Sequence, residues 1–284
     1  MTTSKAGCEV VTLPGGARAI RDCASGQVMH CGTGPATEPD AIYVVPSRLG
    51  ARLGEDGASL VLFDVGLGAA SNALAAWRVS EAASSSARRL EIVSFDHELF
   101  ALELALLPEN LQSFGLTDPA ARAAVRALLT HGRHETSRTS WRLVLGDFPR
   151  SLALEPVGSA DIVFWDMYSA RTNPKLWTVA LFHSLRAACR DGATLHTTNT
   201  STSGRTSMLL GGFAVGVSVG TGRSSETTIA STHDHGLQVP LGARWLERLG
   251  RSSAAFSSDV LNGEVALATV RGLPQFREDR FRRG

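Results

Sequence analysis

The chain has 284 residues, enough for one large α/β domain with small additions, and 43% of them are hydrophobic against 19% charged. That balance describes a globular core and excludes a chain built on long disordered polar tracts. A formal net charge of +1 excludes a strongly basic surface, so a nucleic-acid partner would have to be met by a local patch. The cysteines Cys8, Cys23, Cys31 and Cys189 form no C-x-x-C pair, and "MTTSKAGCEVVTL" has neither a basic start nor a long apolar stretch, which favours a reducing, cytoplasmic setting. The longest apolar-looking run, "MLLGGFAVGVSVG", falls short of the roughly 20 apolar residues a spanning helix needs, so no membrane span is expected.

Three regions follow in chain order. In residues 1–55 the short, partly alternating runs "ARAIRD", "QVMHC" and "AIYVVP" predict a small β-structured N-terminal extension, serving as a lid or wall. Residues 56–235 alternate apolar strands with helical stretches. "LVLFDVG" reads as a strand buried on both faces and "AASNALAAWRV" as its helix; "EIVSFD" and "HELFALELALL" repeat the pair. "TDPAARAAVRALLTHG" predicts a helix capped by Thr117, with Pro119 in its first turn and Gly132 past its end. "WRLVLGD" and "DIVFWD" read as strands, "NPKLWTVALFHSLRAACRDG" as one long amphipathic helix, and "ATLHTTN" as a strand. A short helix at "RTSMLLGG" and the strands "FAVGVSV" and "ETTIAS" complete the set, before a C-terminal extension over 236–284. Strands alternating with helices imply a mostly parallel sheet covered on both faces, with ligands bound beyond the strand C-terminal ends.

Those C-terminal ends carry a regularity. Asp64, with Gly66 and Gly68, sits where the first strand turns into its helix, and the glycines let backbone approach a ligand closely. A lone G-x-G is compatible with a mere tight turn, and Ala69, Ala70 and Ser71 replace the third glycine of a dinucleotide fingerprint. Asp96 closes the next strand, where a carboxylate can hold a ribose diol or cap a helix; Asp147 and Asp166 close the following two. Four successive strand ends marked by carboxylates suit a ligand with a sugar, an amine-bearing base and a cationic tail. S-adenosylmethionine has all three and no phosphate.

The segments "LFDVGLGAASNALAA", "SFDHELFALEL", "LVLGDF" and "VFWDMYSARTNPKLWT" resemble the methyltransferase domain of the tRNA 5-methylaminomethyl-2-thiouridine biosynthesis enzymes. The most specific match is Asp166 followed by Asn173, Pro174, Trp177 and Thr178; Ala70 stands where the family commonly has glycine. The resemblance implies a Rossmann-like class I methyltransferase sheet of α/β class. It implies S-adenosyl-L-methionine contacts at Asp64, Gly66, Gly68 and Asn72, Asp96 on the ribose, Asp147 beside the adenine, and Asp166 as the active-site carboxylate. It further implies a stand-alone form with no FAD and no metal, acting on the aminomethyl group of a modified wobble uridine in tRNA after a separate enzyme has made that amine.

For the substrate, Tyr168 and Asn173 are candidate contacts in the loop after Asp166, and Arg21, Arg171 and Arg205 are candidate tRNA contacts, each equally readable as ordinary surface charge. Trp177 and Phe182 share a core-like helical spacing with Leu176, Leu181 and Leu185, and "HGRH" and "HDH" read as surface loops rather than metal sites. Two alternatives stay open: a small-molecule amine N-methyltransferase or aminopropyltransferase-like enzyme, and a non-catalytic partner that binds S-adenosylmethionine or RNA. Asp166 itself has two readings, a helix cap or a carboxylate at the mouth of a cleft.

Overall fold

The computed structural model describes residues 4–5, 7–13, 16–29, 38–220 and 226–277. "GTGPATEPD" lies outside these apart from its ends, as do most of "QVMHC" beyond Met29 and the tail after Arg277. The N-terminal strands β1 (Ser4–Lys5), β2 (Cys8–Thr12) and β3 (Arg18–Asp22) form a small antiparallel sheet. "AIYVVP" does not become a strand. Residues Asp40–Val44 form a one-turn π-helix whose Ile42, Tyr43 and Val44 are all buried, so this apolar run buries consecutive residues rather than alternate ones. Helix α1 (Leu49–Leu53) follows.

The central sheet is built from β4 (Leu60–Val65), β5 (Leu90–Asp96), β6 (Arg133–Glu135), β7 (Thr139–Leu145), β8 (Ala160–Trp165), β9 (Cys189–Thr197), β10 (Ala214–Ser218) and β11 (Thr227–Ser231). Their order is β10-β11-β9-β8-β4-β5-β7-β6. The five inner strands from β9 to β7 pair parallel, and β6, β11 and β10 are antiparallel additions. Part of "HGRH" is thus the edge strand β6 rather than a loop. The chain order reverses between β4 and β8: β5 and β7 follow on one side, β8 and β9 on the other. That switch point is where such sheets leave a crevice for ligands.

Two apolar cores flank the sheet. Leu62, Ile92 and Trp141 belong to one, with α2 (Ser71–Glu81), α3 (Phe100–Ala105) and α4 (Pro119–His131); Phe63, Val93 and Phe95 belong to the other, with α5 (Phe148–Leu152), α6 (Val179–Ala188) and α7 (Thr202–Leu210). The alternation along β4 and β5 is the period-2 pattern of strands covered on both faces. Helix α4 is capped by Asp118 rather than Thr117: its carboxylate accepts from the Ala120 and Ala121 amides. The expected long helix at "NPKLWT" breaks in two. Pro174–Trp177 form a 3-10 turn, and Thr178, in extended conformation, caps a new helix by accepting from Leu181 N. Helices α8 (Ala243–Arg251) and α9 (Gly263–Arg271) pack on the second core through Trp245, Leu249 and Val270.

Candidate active site

At the switch point the turn after β4 meets the loop after β8. Asp166 N donates to Val65 O at 3.0 Å and Gly66 N donates to Phe95 O at 3.0 Å, so three neighbouring strands tie the turn down. Gly66 has φ 96°, and a Cβ there would lie 2.8 Å from the Asp166 carbonyl oxygen; only glycine fits both the angle and the approach. Ala70, at φ 64°, takes the left-handed conformation without being glycine, an unusual arrangement immediately before α2.

The Asp166 carboxylate is not a helix cap. Its Oδ1 accepts from the Tyr43 hydroxyl at 2.9 Å and its Oδ2 from Asn72 Nδ2 at 2.8 Å. Both partners are buried, one on the π-helix and the other in the first turn of α2. Burial pushes the Tyr43 phenol well above its ordinary range, and the nearby Asp166 charge adds to it, so Tyr43 remains a donor. Nothing in the sequence pattern singled out Tyr43. A strand reading of its segment would have sent alternate side chains to opposite faces.

Asp64 is fully buried, and this desolvation raises its carboxyl to about 8, against a weaker opposing effect from the Ser94 hydrogen bond. Ser94 Oγ donates to Asp64 Oδ2 at 2.7 Å and is itself held by Trp141 Nε1 at 2.9 Å. Around the glycine turn, Asp64 Oδ1, Ser71 Oγ and Asn72 Oδ1 are buried without a hydrogen-bond partner. Buried atoms of this kind also occur elsewhere, Asn110 Oδ1 and Trp245 Nε1 among them, but here three lie together beside one turn at the switch point, where they offer capacity for a polar ligand. Asp96 Oδ2 accepts from Gly68 N at 2.9 Å and its Oδ1 from His97 N at 2.7 Å, so it also closes the turn. Asp147 is exposed at the start of α5 with no capping bond from its side chain, and Gly146 N ties that corner to Asp96 O at 2.8 Å.

The N-terminal sheet covers this end of the site. Gln27 Nε2 donates to Ser169 Oγ at 3.0 Å, and Met29 lies against Gly68. Between that sheet and β5, Cys8, Asp22 and Glu98 bring possible ligand atoms within 4.8 Å of one another. Burial, then the Glu98 charge, pushes the Cys8 thiol up to about 11, so it stands protonated at neutral pH. The same carboxylates face Tyr168, whose hydroxyl is buried without a partner and whose phenol is raised chiefly by desolvation. Trp177 is a buried positioning group: it packs on Trp165 and Phe182, and its indole donates to the Tyr168 carbonyl at 2.7 Å. Asn173 opens the 3-10 turn in the same loop, without a capping bond from its side chain.

The arginine candidates separate. Arg171 is exposed in the Asp166 loop, whereas Arg21 is paired with Glu9 at 3.0 Å in the N-terminal sheet. Arg205 is a correction: it is 1% exposed, pairs with Glu226 at 2.9 Å and donates to Thr228 Oγ1 and Thr227 O, which leaves it no face for RNA.

Residues 120–233 match a family model described as S-adenosyl-L-methionine-dependent methyltransferase. The chain carries a methyltransferase domain of that class. It is 31% identical over 196 residues to the tRNA 5-methylaminomethyl-2-thiouridine biosynthesis bifunctional protein MnmC of Aromatoleum aromaticum, covering 67% of this chain and 30% of that protein. The corresponding protein of Pseudomonas aeruginosa is 27% identical over 233 residues, 79% of this chain and 35% of its own. This chain therefore spans about a third of the length of these curated relatives. Among solved structures it is similar to MnmC2 from Aquifex aeolicus, with TM-score 0.72, 25% identity, and coverage of 94% of this chain and 85% of the other. Likeness to spermidine synthase from Thermotoga maritima, TM-score 0.52 at 12% identity over 96% and 84% of the two chains, shows the fold alone. The domain is MnmC-like in sequence and fold, and no helix among the described residues is long and apolar enough to cross a membrane.

Proposed function

We propose that this methyltransferase domain transfers a methyl group to the aminomethyl nitrogen of a modified wobble uridine in tRNA. The observation that carries the reading is the Asp166 carboxylate, fixed at the switch point by Tyr43 and Asn72 beside the partnerless Asp64, Ser71 and Asn72 oxygens. Relatives named for tRNA 5-methylaminomethyl-2-thiouridine biosynthesis supply the acceptor class.

The residues present fit S-adenosyl-L-methionine. Gly66 and Gly68 admit backbone close to a ligand, the partnerless oxygens offer acceptors for an ammonium, and Asp96 and Asp166 give the crevice an acidic field suited to a cation, which Asp64 joins when a bound ammonium favours its ionised form. When bound, this cofactor supplies an electrophilic methyl group on a sulfonium. Asp64 with Ser71 and Asn72 would hold its amino-acid end, and Asp96 and Asp147 would border its nucleoside end.

The acceptor amine must be neutral and in line with the methyl group. An alkyl ammonium of pKa about 10 is mostly protonated at neutral pH, so an ion pair with Asp166 favours the wrong form. Each Asp166 oxygen already accepts one hydrogen bond and keeps a lone pair for an amine N–H, so the carboxylate aims the nitrogen lone pair toward the cofactor. Tyr43, held protonated, is no base. Orientation is the larger contribution and proton removal the smaller one. An aminomethyl acceptor also requires a separate activity that exposes this amine.

Incubation with labelled S-adenosyl-L-methionine and tRNA carrying unmethylated aminomethyl uridine tests the proposal. Label in the wobble nucleoside is expected; transfer to free small amines with none to tRNA would overturn it.

A further inference from the structure

Several arginines of this protein are held in ion pairs. Arg52 and Arg190 pair with Asp161, Arg89 with Glu135, Arg142 with Glu155 and Arg205 with Glu226. Helix α8 presents a row of arginines outside such pairs. Trp245 and Leu249 face the core, while Arg244, Arg248 and Arg251 are exposed at spacings of four and three residues, which places them on one outer stripe. Arg271 of α9 adds to it, its guanidinium lying beside Gly250. Among the described residues Arg244, Arg248 and Arg271 have no ion-pair partner, and Arg251 meets only Glu247, at 4.0 Å.

The stripe borders the end of the sheet that holds Asp166. Arg248 is near enough for its charge to act on Arg205, which bonds Thr228. Thr228 pairs with Thr197, the last residue of β9, and β9 lies beside β8, which leads into Asp166. From β11 to β8 is two strand spacings, about 10 Å. The segment after α8 also reaches this end: Asp259 accepts from Ala180 N at the start of α6, and Ser257 bonds Ser207 of α7.

We infer that the α8 face, with Arg244, Arg248 and Arg271 at its centre, is the surface that receives the phosphate backbone of the RNA substrate. This rests on the tRNA reading above and replaces Arg205 as its anchor. Unpaired guanidiniums in a row, beside a crevice with an acidic interior, divide the labour: phosphates are held outside, and the modified base enters a site that would repel them. A protein of net charge +1 needs such a local patch.

The experiment compares two triple variants of equal charge loss. Arg244→Gln/Arg248→Gln/Arg271→Gln removes the stripe. Arg122→Gln/Arg126→Gln/Arg133→Gln removes arginines of α4 and β6, at the opposite edge of the sheet. The first should weaken tRNA binding on the order of tenfold and reduce the slope of log affinity against log salt by about 2, at roughly 0.7–0.9 per lost contact. Cofactor affinity, thermal midpoint and methyl transfer to the free aminomethyl nucleoside should hold. The control should leave the slope in place. An unchanged slope in a folded α8 variant, or an equal drop in the control, overturns the surface while the tRNA reading stands. If the parent protein neither binds nor methylates tRNA, both fall.

Discussion

Two aspartates at opposite ends of the same sheet are equally hidden and handled in opposite ways. Asp161, at the start of β8, accepts from Val61 N at 2.8 Å and Arg190 Nη1 at 2.7 Å, with Arg52 at 3.9 Å; its charge is met twice over. Asp64, near the end of the adjacent strand β4, has among the described residues one hydroxyl donor, no cation and a buried oxygen with no partner. The difference is not burial, since they are 7% and 1% exposed. It is completion. A finished ion-pair cluster holds helix, strand and loop together, whereas an unfinished one is tolerated where a ligand is to finish it.

Breaking the finished end should have the largest effect on folding. Asp161→Ala would leave Arg52 without its carboxylate and Val61 N without its acceptor, costing roughly 3 kcal/mol, the low end for a buried pair because Arg190 is 37% exposed. Chemical denaturation would read this as a shifted midpoint at constant slope. Methyl transfer per folded molecule should stay near the parent value; a selective loss of turnover would remove the contrast between the two ends.

At the unfinished end the larger effect belongs to Asp166. Asp166→Asn keeps shape and one acceptor, so the fold and cofactor affinity should survive while single-turnover methyl transfer falls on the order of a hundredfold. A near-parent rate would reduce Asp166 to a structural acceptor for Tyr43 and Asn72. Tyr43→Phe asks the finer question. Asn72 still holds Oδ2, so the carboxylate should loosen rather than leave, and kcat should drop about tenfold, the worth of one hydrogen bond to a charged group, with the cofactor Kd unchanged. Equal losses in stability and rate would mark the hydroxyl as packing only.

The finished parts were more legible than the site. Apolar runs such as "LVLFDVG" and "DIVFWD" become β4 and β8 because strands covered on both faces need little beyond continuous hydrophobicity. The acidic strand ends were visible for the same reason, as polar residues closing apolar runs. What those carboxylates touch was not. Asp166 meets Tyr43 across 123 residues of sequence, through a π-turn whose apolar run imitates a strand. Arg205 looked like surface charge because its partners, Glu226 and Thr228, lie on another element; Thr178 interrupts a seemingly continuous helical pattern because it caps α6 instead of extending it. Local periodicity encodes the layers, and long-range pairing decides which polar residue is structural.

The smallest effect, read in acid, should come from Asp64→Asn, and it bears most directly on the contrast. With its carboxyl raised to about 8 by burial, Asp64 is largely protonated at pH 7, so asparagine replaces one neutral hydrogen-bonding group with another. Below the unfolded value of 3.8, where Asp64 is protonated in both states, stability should change by no more than about 1 kcal/mol. The dependence on pH is where parent and variant part. An acid whose folded value lies above its unfolded value of 3.8 binds more protons when folded, so its contribution is fully present below that unfolded value and is lost as pH rises toward 8. The parent should therefore lose stability relative to the Asp64→Asn variant between about pH 4 and 8, by up to roughly 1 kcal/mol per pH unit. Cofactor binding should run the other way. An ammonium favours ionised Asp64, so parent affinity should climb over the same approach to pH 8 with release of a proton, and the variant's should not. Calorimetry in two buffers of different ionisation enthalpy measures that proton directly. Identical pH profiles for parent and variant would mean that Asp64 is as fully satisfied as Asp161 and that its bare oxygen is no part of the cofactor site.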